Sequence, residues 1–282
     1  MYNLWLKIKK KILRYSLACF ILILLITFFI HLYNIRSVLE VDFLDVGQGD
    51  AILIKTPSNE AILIDGGPDN KVLWRLGENL SFYQRRIDYL ILSHYHDDHA
   101  VGLIEILKRY RVGHLIYAGG ISSSPVITEL LDIAQSRKVE LIPLDGEFQV
   151  SYGNDCRLDL LNPFVLGVKD DPNNSLVARL SCVGRTFLFS GDNSQSVEKI
   201  LINSDWDIRA DILKSSHHGS NSANSELFLR AVNPQFMVIS VGADNRFGHP
   251  SPRIIELASV LGIDVKRTDE SGSVKFLANK SL

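Results

Sequence analysis

Apolar and polar positions follow two different patterns along the chain. From Tyr15 to Tyr33 almost every residue is apolar, and a helix of that length spans about 28 Å, close to the hydrocarbon thickness of a bilayer. Residues 15–33 therefore predict a transmembrane helix. A cleaved signal peptide is the competing reading, but the apolar run exceeds a usual signal core and no small-x-small cleavage pattern follows it. Lys7, Lys9, Lys10, Lys11 and Arg14 precede the run, against His31 and Arg36 near its far end. This asymmetry keeps residues 1–14 in the cytoplasm and the remainder outside it, anchored in the cytoplasmic membrane by a single pass.

Beyond residue 39 the apolar residues come in short runs separated by Gly, Pro, Ser and Asn. Runs at 41–44, 51–54 and 61–64 predict three strands joined by tight turns. Helical spacing at 72–80, 101–110 and 126–136 then alternates with strands at 88–93 and 114–117. A second series follows, with strands at 157–161, 176–182, 186–189, 210–214, 236–240 and 265–268 and helices at 196–202, 226–231 and 252–261. Helices alternating with strands pack on sheets, and two similar halves facing each other make an α/β, four-layer αββα sandwich over residues 39–282. No linker or tandem repeat divides that region.

With 282 residues, 46% of them hydrophobic, the chain can bury a substantial core. Charge changes the picture once it is split at the membrane. Of 30 Lys and Arg and 32 Asp and Glu, six basic and no acidic residues precede Glu40, which leaves 24 against 32, a balance of −8. A domain this acidic does not hold nucleic acid by bulk electrostatics, so a polyanionic substrate has to be gripped locally. Cys156 and Cys182 are too few for a disulfide framework, and their strand-like surroundings favour two small buried thiols over one disulfide.

The chemistry concentrates in His94-Tyr95-His96-Asp97-Asp98-His99. This segment leaves the carboxyl end of a buried strand, where open α/β sheets place ligands. His94 and His96, two apart on extended backbone, point the same way, and Asp98 and His99 follow as the chain turns into a helix. Imidazole and carboxylate without thiolate suit Zn²⁺ or Mn²⁺ at an open, water-activating site. Two later loops also follow apolar strands. Asp192, in Ser190-Gly191-Asp192, is placed either to bridge two ions or to cap the next helix. His217 and His218 share a Gly/Ser turn in which adjacent histidines are seldom structural.

These segments, with Phe43-Leu44-Asp45-Val46-Gly47-Gln48-Gly49-Asp50-Ala51, Leu63-Ile64-Asp65-Gly66-Gly67, Asn173-Asn174-Ser175-Leu176-Val177 and Gly248-His249-Pro250, resemble in order the metallo-β-lactamase superfamily. More narrowly they resemble the hydrolase domain of ComEC-type competence DNA-uptake proteins. The resemblance implies a two-metal centre: His94 and His96 on one ion, Asp98 and His99 on the other, Asp192 bridging, and His217 completing the ligands of the second ion, although the segment alone leaves His217 and His218 interchangeable. It implies His249 as the group that stabilises or protonates a leaving oxygen, with a surface turn as the alternative. Asp98 joins it in the catalytic set. Asn174 or Ser175 takes the place where many members of the superfamily supply a further His, since no His occurs between His114 and His217. Asn174, Ser175, His218 and Ser220 are the candidate substrate contacts. Asp45, Gln48 and Asp65 are candidate partners of the ligand imidazoles, and Asp50 is read as a turn cap.

Together these expectations describe a membrane-anchored, metal-dependent phosphodiesterase or nuclease acting on DNA, with DNA-uptake machinery as a partner. Hydrolysis of another envelope phosphodiester is the alternative, as is a non-catalytic binding module of the same fold.

Overall fold

The computed structural model describes residues 2–35, 38–119, 123–153, 155–163 and 174–279; Arg36, Asn173 and residues 280–282 lie outside the described residues. A single helix, α1 (Tyr2–Ile35), opens the chain. It is apolar enough to cross a membrane over Ile8–Phe29 and buries none of that stretch in the protein. The basic residues ahead of the apolar run continue the same helix, because Lys and Arg favour helix and nothing between them breaks it.

Two seven-stranded sheets follow. The first runs β14-β1-β2-β3-β4-β5-β6, from β1 (Val38–Phe43), β2 (Ile52–Lys55), β3 (Ala61–Ile64), β4 (Arg86–Leu92), β5 (Arg111–Ala118), β6 (Glu140–Leu144) and β14 (Val274–Asn279). The second runs β13-β12-β11-β10-β9-β8-β7, from β7 (Glu147–Tyr152), β8 (Cys156–Leu161), β9 (Val177–Cys182), β10 (Arg185–Phe189), β11 (Ile212–Lys214), β12 (Phe236–Ile239) and β13 (Asp264–Arg267). Leu39, Val41 and Phe43 from one sheet and Leu158, Leu180 and Phe187 from the other form the core between the sheets. The outer faces are covered by α2 (Lys71–Asn79), α3 (Asp97–Arg109) and α4 (Pro125–Ser136) on the first sheet. On the second sheet α5 (Gln195–Asn203), α6 (Glu226–Val232) and α7 (Pro252–Val260) do the same. Alternate residues of each strand thus face different layers, and the result is the four-layer αββα sandwich.

Strands β6, β7 and β14 do not appear in the sequence pattern. β7 and β14 alternate exposed with part-buried or buried residues, and β6 is short and interrupted by Pro143, so pairing with a neighbour rather than a local signal defines them. β14 pairs with β1 from Val38↔Asn279 to Phe43↔Val274, so the end of the chain closes the edge of the first sheet. Cys156 and Cys182, expected as separate thiols, face each other across β8 and β9 and form a disulfide. The register decides this, and register is not legible from spacing.

Asp42, on β1, is fully buried and neither carboxylate oxygen has a hydrogen-bond partner. Burial first, and then the neighbouring Glu40, push its pKa up to about 7, against the pull of Lys275 at 3.3 Å. The folded protein therefore holds this proton more tightly than the unfolded chain does. Stability from this site is full below pH 4 and declines as the pH rises towards 7, by an amount on the order of a few kcal/mol. Asp42→Asn is expected to abolish that decline, measured as denaturant midpoint at pH 5 and pH 8.

Candidate metal centre

Three loops meet at the carboxyl ends of β4, β10 and β11. The first bends directly into α3, with Asp97 and Asp98 in its first turn, where carboxylates suit the positive end of the helix dipole. Its position is fixed by the Asp65-Gly66-Gly67 turn: the Gly66 amide donates to the His99 carbonyl at 2.8 Å, and the Gly102 amide to Gly67 at 3.0 Å. A Cβ on Gly102 would lie 1.8 Å from the Gly66 carbonyl oxygen, so only glycine permits this approach. The second loop carries Gly191 at φ +53°, where a Cβ would meet Ser175 at 2.3 Å. The third is a short 3-10 turn, Ser216–Gly219, in which His217 and His218 both adopt left-handed φ, 51° and 53°. Non-glycine residues are held there only when the surroundings enforce it. Here Asn224 does so, its side-chain oxygen accepting from the Ser216 amide at 2.9 Å and the Ser215 hydroxyl at 3.0 Å.

Asp192 lies at the centre of the arrangement. Its Oδ2 is 3.5 Å from His218 Nε2, 3.6 Å from His99 Nε2 and 3.9 Å from His94 Nε2 and His217 Nε2. His94, His96 and Asp192 form one group whose candidate ligand atoms lie within 4.8 Å of one another, and Asp98, His99 and His218 form a second. The sequence expectation gave the second ion to His217 and the substrate to His218; the structure brings His218 into the group and leaves His217 at the rim. The cause is the left-handed turn. His218 is buried, with Nδ1 tied to the Ser240 carbonyl at 2.9 Å and Nε2 3.5 Å from Asp98 Oδ2. The His217 side chain keeps 27% of its exposure and lies 5.7 Å, ring to ring, from His249.

The expected partners of the imidazoles divide. Asp65 accepts from the Ser93 amide and hydroxyl at 2.8 and 2.7 Å and lies 2.8 Å from His99 Nδ1. Asp45 instead turns to Arg75 at 2.8 Å, and Gln48 accepts from the Gly242 amide at 3.2 Å, joining the two halves. Neither touches an imidazole. Ser175 is wholly buried and its hydroxyl accepts the Asp192 amide at 2.9 Å, so it holds the loop and does not face substrate. Ser220 lies 2.9 Å from Ser222. Asn174 is buried, with both side-chain polar atoms unpartnered. His114 stacks on Tyr89 at 4.5 Å, outside the centre.

Asp50, expected only to cap a turn, and Lys214, which the motifs do not single out, also stand at the centre. Both are buried, and they form an ion pair beside Asp192, with Lys214 Nζ 3.6 Å from Asp192 Oδ1 and donating to the Gly191 carbonyl at 3.0 Å. A signal was present: Lys214 ends the apolar run Ile212-Leu213, and a lysine on a buried strand needs an acidic partner.

Electrostatics reinforce the geometry. Burial, then His99, push His94 well below its ordinary pKa, leaving a neutral imidazole. Burial acts the same way on His99 and His218, but Asp192 with Asp65 overrides it and holds His99 well above the usual range, and Asp192 with Asp50 raises His218 to about 9. Asp192 itself, despite burial, is held well below the carboxylate range by His218 and His99. His99 Nε2, His218 Nε2, Asp50 Oδ1 and Asp192 Oδ1 are buried with no hydrogen-bond partner. Such atoms are costly unless something binds them, and a dense cluster of anions that raises two imidazoles calls for cations. The donor set, imidazole and carboxylate with no thiolate, fits a pair of divalent ions.

The chain is similar to known proteins both in sequence and in fold. A sequence profile of the metallo-beta-lactamase superfamily matches residues 44–147. The chain is 31% identical over 257 residues to ComE operon protein 3 of Bacillus subtilis, covering 84% of this chain and 33% of that one. Competence protein ComA of Neisseria gonorrhoeae is 30% identical over 234 residues, covering 82% of this chain and 31% of that one. The chain thus spans about a third of the length of these relatives. Among solved structures, a metallo hydrolase from Ignicoccus hospitalis is similar in fold, with a TM-score of 0.52 at 14% identity, covering 84% of this chain and 98% of that one.

Proposed function

We propose that this chain, which belongs to the metallo-β-lactamase superfamily, is a membrane-anchored, metal-dependent phosphodiesterase that cleaves DNA. The observation that carries the proposal is the convergence of two ligand groups on one carboxylate, Asp192. His94, His96 and Asp192 would hold one ion, and Asp98, His99, His218 and Asp192 its neighbour. Two divalent ions there supply an activated water and offset charge on a phosphate. The remaining residues orient the ligands and stabilise the departing oxygen. Asp65 fixes the His99 ring through Nδ1, as partners of ligating imidazoles do. Lys214 steadies Asp50 and Asp192 from behind. His249 stands at the rim beside His217, and burial and then His217 push its pKa down, which favours the neutral imidazole, placed to stabilise the departing oxygen by donating a hydrogen bond.

DNA as substrate rests on the competence proteins among the relatives. The apolar stretch of α1 supports anchoring. The Cys156–Cys182 disulfide supports a domain on the oxidising side of the membrane, in keeping with the basic residues ahead of the span. The test is hydrolysis by the purified chain with Mn²⁺ or Zn²⁺, with Asp98→Ala and His99→Ala as controls. Metal-dependent cleavage of DNA, lost in both controls, is the expected result. Cleavage of small phosphodiesters alone would move the substrate to another envelope phosphodiester, and an inert protein with every metal would make it a binding module.

A further inference from the structure

In the first sheet, β4, which carries the His94 loop, shares its direction with other strands. β1, β3, β4 and β5 all run in one direction: β1 and β3 are each antiparallel to β2, and β3, β4 and β5 pair in parallel. Their amino ends therefore lie together, and β4 alone separates that end from the His94 loop by about 20 Å. The start of β1 is also the first described point of the domain after α1 in the chain. The helical backbone of α1 continues six residues past Phe29, about 9 Å, roughly the depth of one headgroup layer. From Ile35 to Val38 the chain reaches at most about 11 Å.

At this end two aromatic side chains stand in the open. Phe82 is 87% exposed and Tyr83 74%, their rings 5.4 Å apart and edge to face. A short chain of contacts ties them to the start of β1: Glu40 pairs with Lys55 at 2.8 Å, Lys55 donates to the Asn79 carbonyl at 2.7 Å, and Phe82 is three residues further on. Arginine surrounds the pair. Arg85, Arg86 and Arg111 are all exposed, Arg86 and Arg111 are register partners, and the Arg111 amide donates to the Arg85 carbonyl at 2.9 Å. Asp88, 2.6 Å from Arg86, answers one of these charges. Exposed aromatics flanked by arginine match the chemistry of a lipid interface, with rings at headgroup level and cations against anionic phosphate.

We propose that Phe82 and Tyr83, with Arg85, Arg86 and Arg111, form a lipid-docking loop that seats the domain on the bilayer holding α1, its metal centre facing away. The inference rests on reading α1 as a membrane span. A substrate would then approach from the aqueous side, and the domain would have a fixed orientation instead of swinging on its anchor.

The test uses the full chain in vesicles of three parts phosphatidylcholine to one part phosphatidylglycerol. Cys19 is the free cysteine among the described residues, so single nitroxide labels go on a Cys19→Ser background at Leu24→Cys, Ser81→Cys and Ala243→Cys. Collisions with dissolved oxygen against a water-soluble nickel complex report depth. Oxygen collisions are expected to exceed nickel collisions several-fold at 24 and to be comparable at 81, with nickel dominant at 243, beyond the metal end. Adding Phe82→Ser and Tyr83→Ser should return position 81 to the aqueous ratio and leave 24 unchanged. An aqueous ratio at 81 beside a deep label at 24, or no change at 81 on losing both rings, overturns the docking loop. An aqueous ratio at 24 removes the membrane span itself.

Discussion

Asp192→Ala is expected to lose both metal ions and at least about a thousandfold in phosphodiester hydrolysis, equivalent to about 4 kcal/mol of transition-state stabilisation. Four imidazoles approach one of its oxygens within 4 Å, and Lys214 approaches the other. Removing it strips a shared ligand from both groups and leaves two raised imidazoles without their principal anion. His217→Ala is the informative contrast. That side chain sits at the rim, so the variant should keep its metal content and lose turnover only, whereas His218→Ala should lose the metal bound with Asp98 and His99. Metal content by mass spectrometry, read beside hydrolysis, checks all three. If the His217 variant sheds metal and the His218 variant does not, the assignment drawn from the turn is wrong.

Lys214→Met should cost the metal-free protein about 3–5 kcal/mol, the range for stranding one partner of a buried ion pair. Lys214 is the charge that Asp50 meets directly, and the other oxygen of Asp50 has no hydrogen-bond partner. Burial would push the Asp50 carboxyl up, yet Lys214 and then His218 hold it well below its ordinary range, so the folded state strongly favours the ionised pair. The prediction has an internal control, because Asp50→Asn combined with Lys214→Met removes both charges and should recover more than half of the loss. Urea unfolding in the presence of a chelator measures this, and equal midpoints for the parent and the Lys214 variant would rule it out.

The residues differ in how openly the sequence shows their roles. His94, His96, Asp98 and His99 are legible because they are local: a strand followed by a helix dictates where side chains two and four apart point. Asp192 is legible as a polar residue after an apolar strand, although the sequence leaves bridging and capping equally open. His217 and His218 are not separable, because two left-handed residues in succession reverse what simple proximity to the strand end suggests. Asp50 reads as a turn residue until Lys214, 164 positions later in the chain, is brought against it. Asp45 and Gln48 resemble imidazole partners by position alone and prove to join other parts of the fold.

Local patterning was enough for the layered α/β fold, the long apolar helix, the loops that carry the candidate ligands and their choice of imidazole and carboxylate over thiolate. All of these follow from local periodicity and residue chemistry. Packing was needed to show that His218 and not His217 lies against Asp98, that Asp50 and Lys214 pair beside Asp192, that Cys156 meets Cys182, and that the aromatic loop and the His94 loop lie at opposite ends of β4. Each of those depends on register, strand direction or a turn's handedness, which arise when segments distant in sequence pack together.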